Sequence, residues 1–178
     1  MRGPRTALAL GLLGLGCTAV PAAAKVLAVA ANGMEVRHQV RVAAPAEKVW
    51  AALVVPARWW NSDHSFSGSA ANITIDARVG GCWCETLPNG GGVTHMVVSY
   101  VAPPRMIVFR GALGPFYNQA ADGALAISLA EKDGATDVTW TFRVGGYVKD
   151  GFKKSAKAVD EVLGQQIGNL KTHLEPAR

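Results

Sequence analysis

The segment from residue 79 to 98 constrains the fold most, because two strand-like runs flank Asn89-Gly90. Asn-Gly readily supplies the positive φ values of a two-residue type I′ turn, so the segment predicts a β-hairpin. Centring the hairpin on this dipeptide fixes which residues stand opposite one another. The predicted pairs are Cys82–Val97, Trp83–Met96, Cys84–His95 and Glu85–Thr94.

This register divides the side chains of the hairpin between two faces, because successive side chains on a strand point to opposite sides. One face then carries two thiols and an imidazole, and the other carries an indole, a thioether and a carboxylate. The indole face is the more apolar, which favours it as the side toward the core. The two groups are Cys82, Cys84 and His95 on one face and Trp83, Glu85 and Met96 on the other.

Glu85 is a candidate acid–base group on the predicted inner face. An apolar cavity would desolvate its carboxyl group and raise the pKa. Alternatively, Glu85 pairs with Arg110 or Lys48, or is hydrated at the end of its strand. His64, in the polar loop of residues 61–69, is a second candidate, because loops beside cavity mouths often carry function. The sequence contains no nucleophile elbow, phosphate-binding loop or dinucleotide fingerprint.

The thiol face offers an alternative metal site at Cys82, Cys84 and His95, whose side chains suit Zn²⁺ or Cu(I). A flat strand holds the two sulfurs too far apart for tetrahedral zinc, and His64 could supply a fourth ligand only by folding across. A disulfide would require a bulge, which Gly80-Gly81 could allow. The favoured interpretation is two small apolar cysteines and a surface histidine, with no metal and no cofactor.

Residues 1–24 are predicted to be a cleaved secretory signal peptide, followed by a single domain over residues 25–178. Arg2 and Arg5 precede an apolar run, and Ala22-Ala23-Ala24 provides the small residues of a cleavage site. The apolar run is too short to span a bilayer, and no later segment approaches the roughly 20 apolar residues required, so no stable membrane insertion is expected after cleavage. The expected localisation is therefore periplasmic or secreted.

Lipid anchoring at Cys17 is the competing interpretation of the leader. Leu15 stands one place too late for a good lipobox, which disfavours that processing. The formal net charge of the whole chain is +5, and both Arg2 and Arg5 lie in the leader. The remaining basic residues are dispersed, which argues against nucleic acid as a partner.

The rest of the chain predicts an α+β helix-grip fold. Residues 34–43 alternate apolar and polar side chains and predict a first strand, after which two short helices begin near Ala46 and Val55. About six strands follow, including a hairpin around Asp133-Gly134. The stretch from Lys149 to Leu174 has the spacing of an amphipathic helix. We expect a curved antiparallel sheet around this long C-terminal helix.

These residues resemble the START-like or birch-pollen-allergen superfamily (SRPBCC), in the branch related to polyketide cyclases and the activator of Hsp90 ATPase. The resemblance covers about residues 35–174. It is based on the runs Pro45–Trp50, Arg58–Trp60 and Val79–Glu85 and on Arg110-Gly111. The resemblance implies a cavity between sheet and helix that holds a lipid or polyketide-like ligand. The residues expected to bind it are Trp59, Trp60, His64, Trp83, Glu85, Met96, Arg110, Trp140 and Phe142.

The expected function is binding of a small apolar ligand without catalysis. The alternative is a cyclase- or lyase-type enzyme that uses Glu85 or His64 as an acid–base group. A third hypothesis, an interaction module acting on folding clients, is disfavoured by the predicted export.

Overall fold

The computed structural model describes residues 25–175, which form one antiparallel sheet and two α-helices. The predicted signal peptide lies outside the described residues. The sheet order is β1-β2-β8-β7-β6-β5-β4-β3. The elements are β1 (Lys25–Ala30), β2 (Gly33–Val42), α1 (Ala46–Leu53), β3 (Ile73–Ile75), β4 (Cys82–Thr86), β5 (Gly92–Ala102), β6 (Met106–Arg110), β7 (Ala120–Lys132), β8 (Ala135–Tyr147) and α2 (Phe152–Leu174).

The predicted helix-grip fold is confirmed, with the curved sheet around α2. The first predicted strand is β2, and six strands follow α1 as expected. The structure adds β1, which the sequence analysis did not anticipate. In place of the second short α-helix, residues Pro56–Arg58 form a single 3₁₀ turn. Proline at the start of this turn is compatible with its fixed φ.

The β7–β8 hairpin follows the predicted register. Asp133 and Gly134 both have positive φ and form the two-residue turn. Apolar side chains pair across the buried face of this hairpin. The pairs are Leu125–Phe142, Ile127–Trp140 and Leu129–Val138.

Helix α2 covers the inner face of the sheet with its apolar stripe. The buried apolar residues of the helix are Phe152, Ala156, Val159, Leu163, Ile167 and Leu170. Gly164 lets the helix approach β2 closely, because a Cβ atom at this position would lie 2.8 Å from Cε1 of His38. Within residues 25–175, neither helix combines the length and the apolar character that crossing a bilayer would need.

Candidate functional site

The β4–β5 hairpin departs from its predicted register at a bulge. Cys82 still stands opposite Val97 and Trp83 opposite Met96, but the pairing shifts by one residue beyond Trp83. The connection is also longer than a two-residue turn, because Leu87 N–H donates to the carbonyl oxygen of Gly91. The pairs beyond the bulge are Cys84–Thr94, Glu85–Val93 and Thr86–Gly92.

The bulge changes the face on which His95 lies. His95 is the extra residue on β5, so it and Met96 are both buried although they are adjacent in sequence. The prediction that His95 shares a face with the cysteines is therefore wrong. The imidazole lies instead on the inner face, where its Nε2 atom is 3.0 Å from Oε2 of Glu85.

Cys82 and Cys84 form a disulfide, with their Cα atoms 5.4 Å apart. The two sulfurs are thus bonded to each other, and His95 lies on the opposite face of the sheet. The alternative metal site at Cys82, Cys84 and His95 is not formed. In the described part of the chain, no group of three or more histidine, cysteine or acidic side chains has the geometry to hold a metal ion.

Glu85 is a fully buried carboxylate that organises the loop above it. It accepts hydrogen bonds from the backbone N–H of Phe66, at 3.1 Å, and from the backbone N–H of Ser67. Burial by itself raises the pKa of Glu85, but the hydrogen bonds from Ser67, Phe66 and His95 outweigh it and hold the pKa below its ordinary value. Glu85 is therefore ionised at neutral pH, contrary to the expected upward shift of its pKa.

The partners of Glu85 also correct the expected ion pairs. Arg110, which was expected to pair with Glu85 or to bind ligand, is exposed and pairs with Asp122. The alternative pairing of Glu85 with Arg110 or Lys48 is wrong, because Phe66, Ser67 and His95 occupy the carboxylate.

His95 is neutral and donates to this carboxylate. Burial lowers the pKa of His95, and the attraction of Glu85 only partly offsets that effect. Because an ionised carboxylate can only accept, Nε2 of His95 carries the shared proton. Nδ1 is then the nitrogen with a free lone pair, and it acts as a hydrogen-bond acceptor.

A cavity of about 190 Å³ lies between α2, the sheet and two loops. Its wall is mainly apolar, and His95 is a buried polar side chain in it. Phe66 forms part of this wall and contacts both the His95 ring and the Tyr117 ring, at centroid distances of 5.7 and 5.0 Å. The lining residues are Trp60, His64, Phe66, His95, Leu113, Gly114, Pro115, Phe142, Ala158, Val159, Val162 and Leu163.

Three of the expected ligand-binding residues, Trp60, His64 and Phe142, line this cavity. Four others are buried in the core beside it. These are Trp59, Trp83, Met96 and Trp140. Trp83 packs against Trp60 at a centroid distance of 5.2 Å, so it supports the wall from behind. Glu85 stands behind His95 and outside the set of lining residues.

Two glutamines of α2 hold the loop that contributes His64 and Phe66 to the cavity wall. Nε2 of His64 lies 2.8 Å from Oε1 of Gln165, and the backbone N–H of Asn61 donates to Oε1 of Gln166 at 2.9 Å. The loop over residues 61–69 is thus held by α2 at one end and by Glu85 at the other.

Sequence reasoning named His95 only as a possible metal ligand on the face of the cysteines, and it did not name Phe66. The relevant signal for His95 was the glycine run at residues 90–92, which permits a longer loop than Asn-Gly alone and thereby a shifted register. Phe66 is placed by backbone hydrogen bonds to Glu85, which no sequence pattern indicates.

Comparison with known proteins identifies a family that matches most of the chain. The profile of the family described as polyketide cyclase / dehydrase and lipid transport matches residues 34–175. No functionally curated protein matches the chain.

Several solved structures share the fold. CalU16 from Micromonospora echinospora superposes with a TM-score of 0.57 at 17% identity, over 87% of this chain and 85% of its own. Protein Ms6760 from Mycobacterium smegmatis gives a TM-score of 0.59 at 17% identity, over 89% and 99%. DynU16, from the dynemicin biosynthetic locus, gives 0.57 at 21% identity, over 80% of this chain and 47% of its own.

Proposed function

The chain belongs to the polyketide cyclase / dehydrase and lipid transport family, and from this premise we propose that it binds a small apolar molecule without transforming it. The observation that carries the proposal is the cavity of about 190 Å³ with apolar walls between α2 and the sheet. A cavity of about 150 Å³ is large enough to hold benzene, so this one accommodates a somewhat larger ring compound.

The state of Glu85 supports a role without catalysis. Three donors occupy its carboxylate, and the bonds that lower its pKa keep it ionised at neutral pH, where it has no proton to donate and is a weak base. The group serves the loop and His95 rather than the cavity, since it does not line the wall.

Native mass spectrometry of the protein purified from its own host tests for a bound occupant. Equilibrium dialysis against naphthalene then tests the cavity directly. Val162 lines the cavity from α2, so Val162→Trp should fill it and weaken naphthalene binding at least about tenfold. The matched control is Glu161→Trp, at the neighbouring exposed position, which should bind as the wild type does. Equal binding by Val162→Trp, or no binding of naphthalene by the wild type, would contradict the proposal.

The Glu85–His95 pair favours acid–base catalysis as a second candidate function. A neutral imidazole oriented by a carboxylate is the usual arrangement of a general base, and His64 lines the same cavity. Incubation of wild type with the occupant found by mass spectrometry should then give a product. Product formation that collapses in His95→Asn or His64→Ala would establish this function in place of simple binding.

We further propose that the protein is exported and acts in the periplasm or outside the cell. The leader composition of residues 1–24 supports this proposal. N-terminal sequencing of the mature protein should begin at Lys25. A retained Met1 or a lipidated Cys17 would contradict it.

A further inference from the structure

We propose that Nδ1 of His95 recognises a hydroxyl group on the ligand, so that the cavity selects small ring compounds that carry a hydrogen-bond donor. This inference rests on the proposed function and specifies the chemistry of the same site. Glu85 acts as a positioning residue, because it fixes the tautomer of His95 without lining the cavity.

The tautomer follows from the contacts of the pair. Nε2 of His95 donates to Oε2 of Glu85 at 3.0 Å, which leaves Nδ1 as an acceptor. Among residues 25–175, no protein group hydrogen-bonds Nδ1. The side chain of His95 is only 7% exposed. A ligand hydroxyl that donates to Nδ1 would satisfy it.

The other polar groups of the wall are differently placed. The indole N–H of Trp60 already donates to the carbonyl oxygen of His64, at 2.9 Å. His64 itself is exposed and is held by Gln165. Among the lining residues, His95 is therefore the buried polar side chain that has a nitrogen free to bind a ligand.

Size and wall composition indicate a ring as the body of the ligand. The volume of about 190 Å³ exceeds the cavity that holds benzene and suits one or two rings. Three aromatic side chains contribute to the wall, namely Trp60, Phe66 and Phe142. Aromatic walls favour a flat partner through stacked and edge-to-face contacts.

The test compares three ligands of nearly equal shape by equilibrium dialysis with the wild-type protein. Of these, 2-naphthol can donate a hydrogen bond, 2-methoxynaphthalene can only accept one, and naphthalene does neither. We expect 2-naphthol to bind about three- to tenfold more tightly than either of the others, the worth of one net hydrogen bond. Equal binding of all three would overturn the inference and leave the proposed function intact. Failure of all three to bind would overturn both.

Variants separate recognition from structural support. In His95→Leu the preference for 2-naphthol should disappear, while naphthalene still binds. In His95→Asn the side-chain amide both donates and accepts, so 2-methoxynaphthalene should bind almost as well as 2-naphthol. The matched control is His38→Asn, which replaces a buried histidine outside the cavity and should keep the wild-type preference. If His95→Leu does not fold, the affinities of the three ligands for the wild type and for His95→Asn test the inference. The same order of affinities in His95→Asn as in the wild type would overturn it.

Discussion

Two buried histidines have different surroundings and different roles in this molecule. His38 lies under α2, where its Nε2 atom is 2.9 Å from Oδ1 of Asp160 and Gly164 leaves room for the ring. His95 lies at the cavity, where Glu85 holds it with one nitrogen free. The first lies between a helix and a strand, and the second lines the cavity.

At the residue scale, Glu85→Gln should lower the free energy of unfolding by about 1–3 kcal/mol. The amide replaces one accepting oxygen with a donor, so the partly buried backbone N–H of either Phe66 or Ser67 loses its partner. Urea denaturation measures this loss. The control is Glu161→Gln at an exposed position on α2, which should stay within about 0.5 kcal/mol of the wild type. Equal stabilities of the two variants would contradict the role given to Glu85.

At the scale of elements, the two long hairpins show what sequence could and could not predict. The β7–β8 register was predicted because Asp133-Gly134 joins two strands of strict apolar alternation. The same reasoning placed Trp83 opposite Met96 correctly but failed beyond it. A shift of one residue moves a side chain to the other face of the sheet. Because of this single bulge, the contact between Glu85 and His95 could not be predicted from the sequence.

The first strand escaped prediction for a related reason. Residues 25–30 lack an alternating pattern, and β1 lies at the edge of the sheet. Edge strands bury less of each side chain than central strands, so composition indicates them weakly. The helix-grip arrangement was nevertheless predictable, because the buried stripe of α2 and the alternation in β2 are both regular.

Two glycines of α2 give a prediction at the scale of the helix. Gly164→Ala should destabilise the protein by about 1–3 kcal/mol, because the new methyl group would lie 2.8 Å from the buried ring of His38. Gly168→Ala should instead stabilise it by up to about 1 kcal/mol, since a Cβ atom there meets nothing within 4 Å and alanine favours helix. Thermal unfolding of both variants checks this. Effects of the same sign would contradict the packing of α2 against His38.

At the scale of the whole molecule, the fold is shared with other proteins, whereas the lining of the cavity depends on individual residues. The shared architecture persists at 17–21% identity to the solved structures. The lining of the cavity depends on three features of this sequence, which are the bulge at His95, the buried carboxylate of Glu85 and the loop over residues 61–69. Family membership therefore supports ligand binding in general, and His95 carries the specificity proposed for this chain.

The domain as a whole should lose stability in acid. Burial holds the pKa of both His38 and His95 below the ordinary value, although Asp160 and Glu85 act in the opposite direction. As the pH falls below about 6.5, the unfolded chain therefore binds protons that the folded chain does not. The histidine contribution is complete above that pH and declines below it. Below about pH 4.5 the lowered pKa of Glu85 adds a second loss of the same sign, because its hydrogen bonds outweigh the effect of burial.

Urea denaturation at about pH 7.5 and about pH 5.5 measures the histidine part of this dependence. The wild type should be less stable at the lower pH. His38→Asn removes one of the two depressed groups, so its stability should change less between the two conditions. A wild-type stability that is equal or greater at the lower pH would show that the two imidazoles are not held neutral by burial.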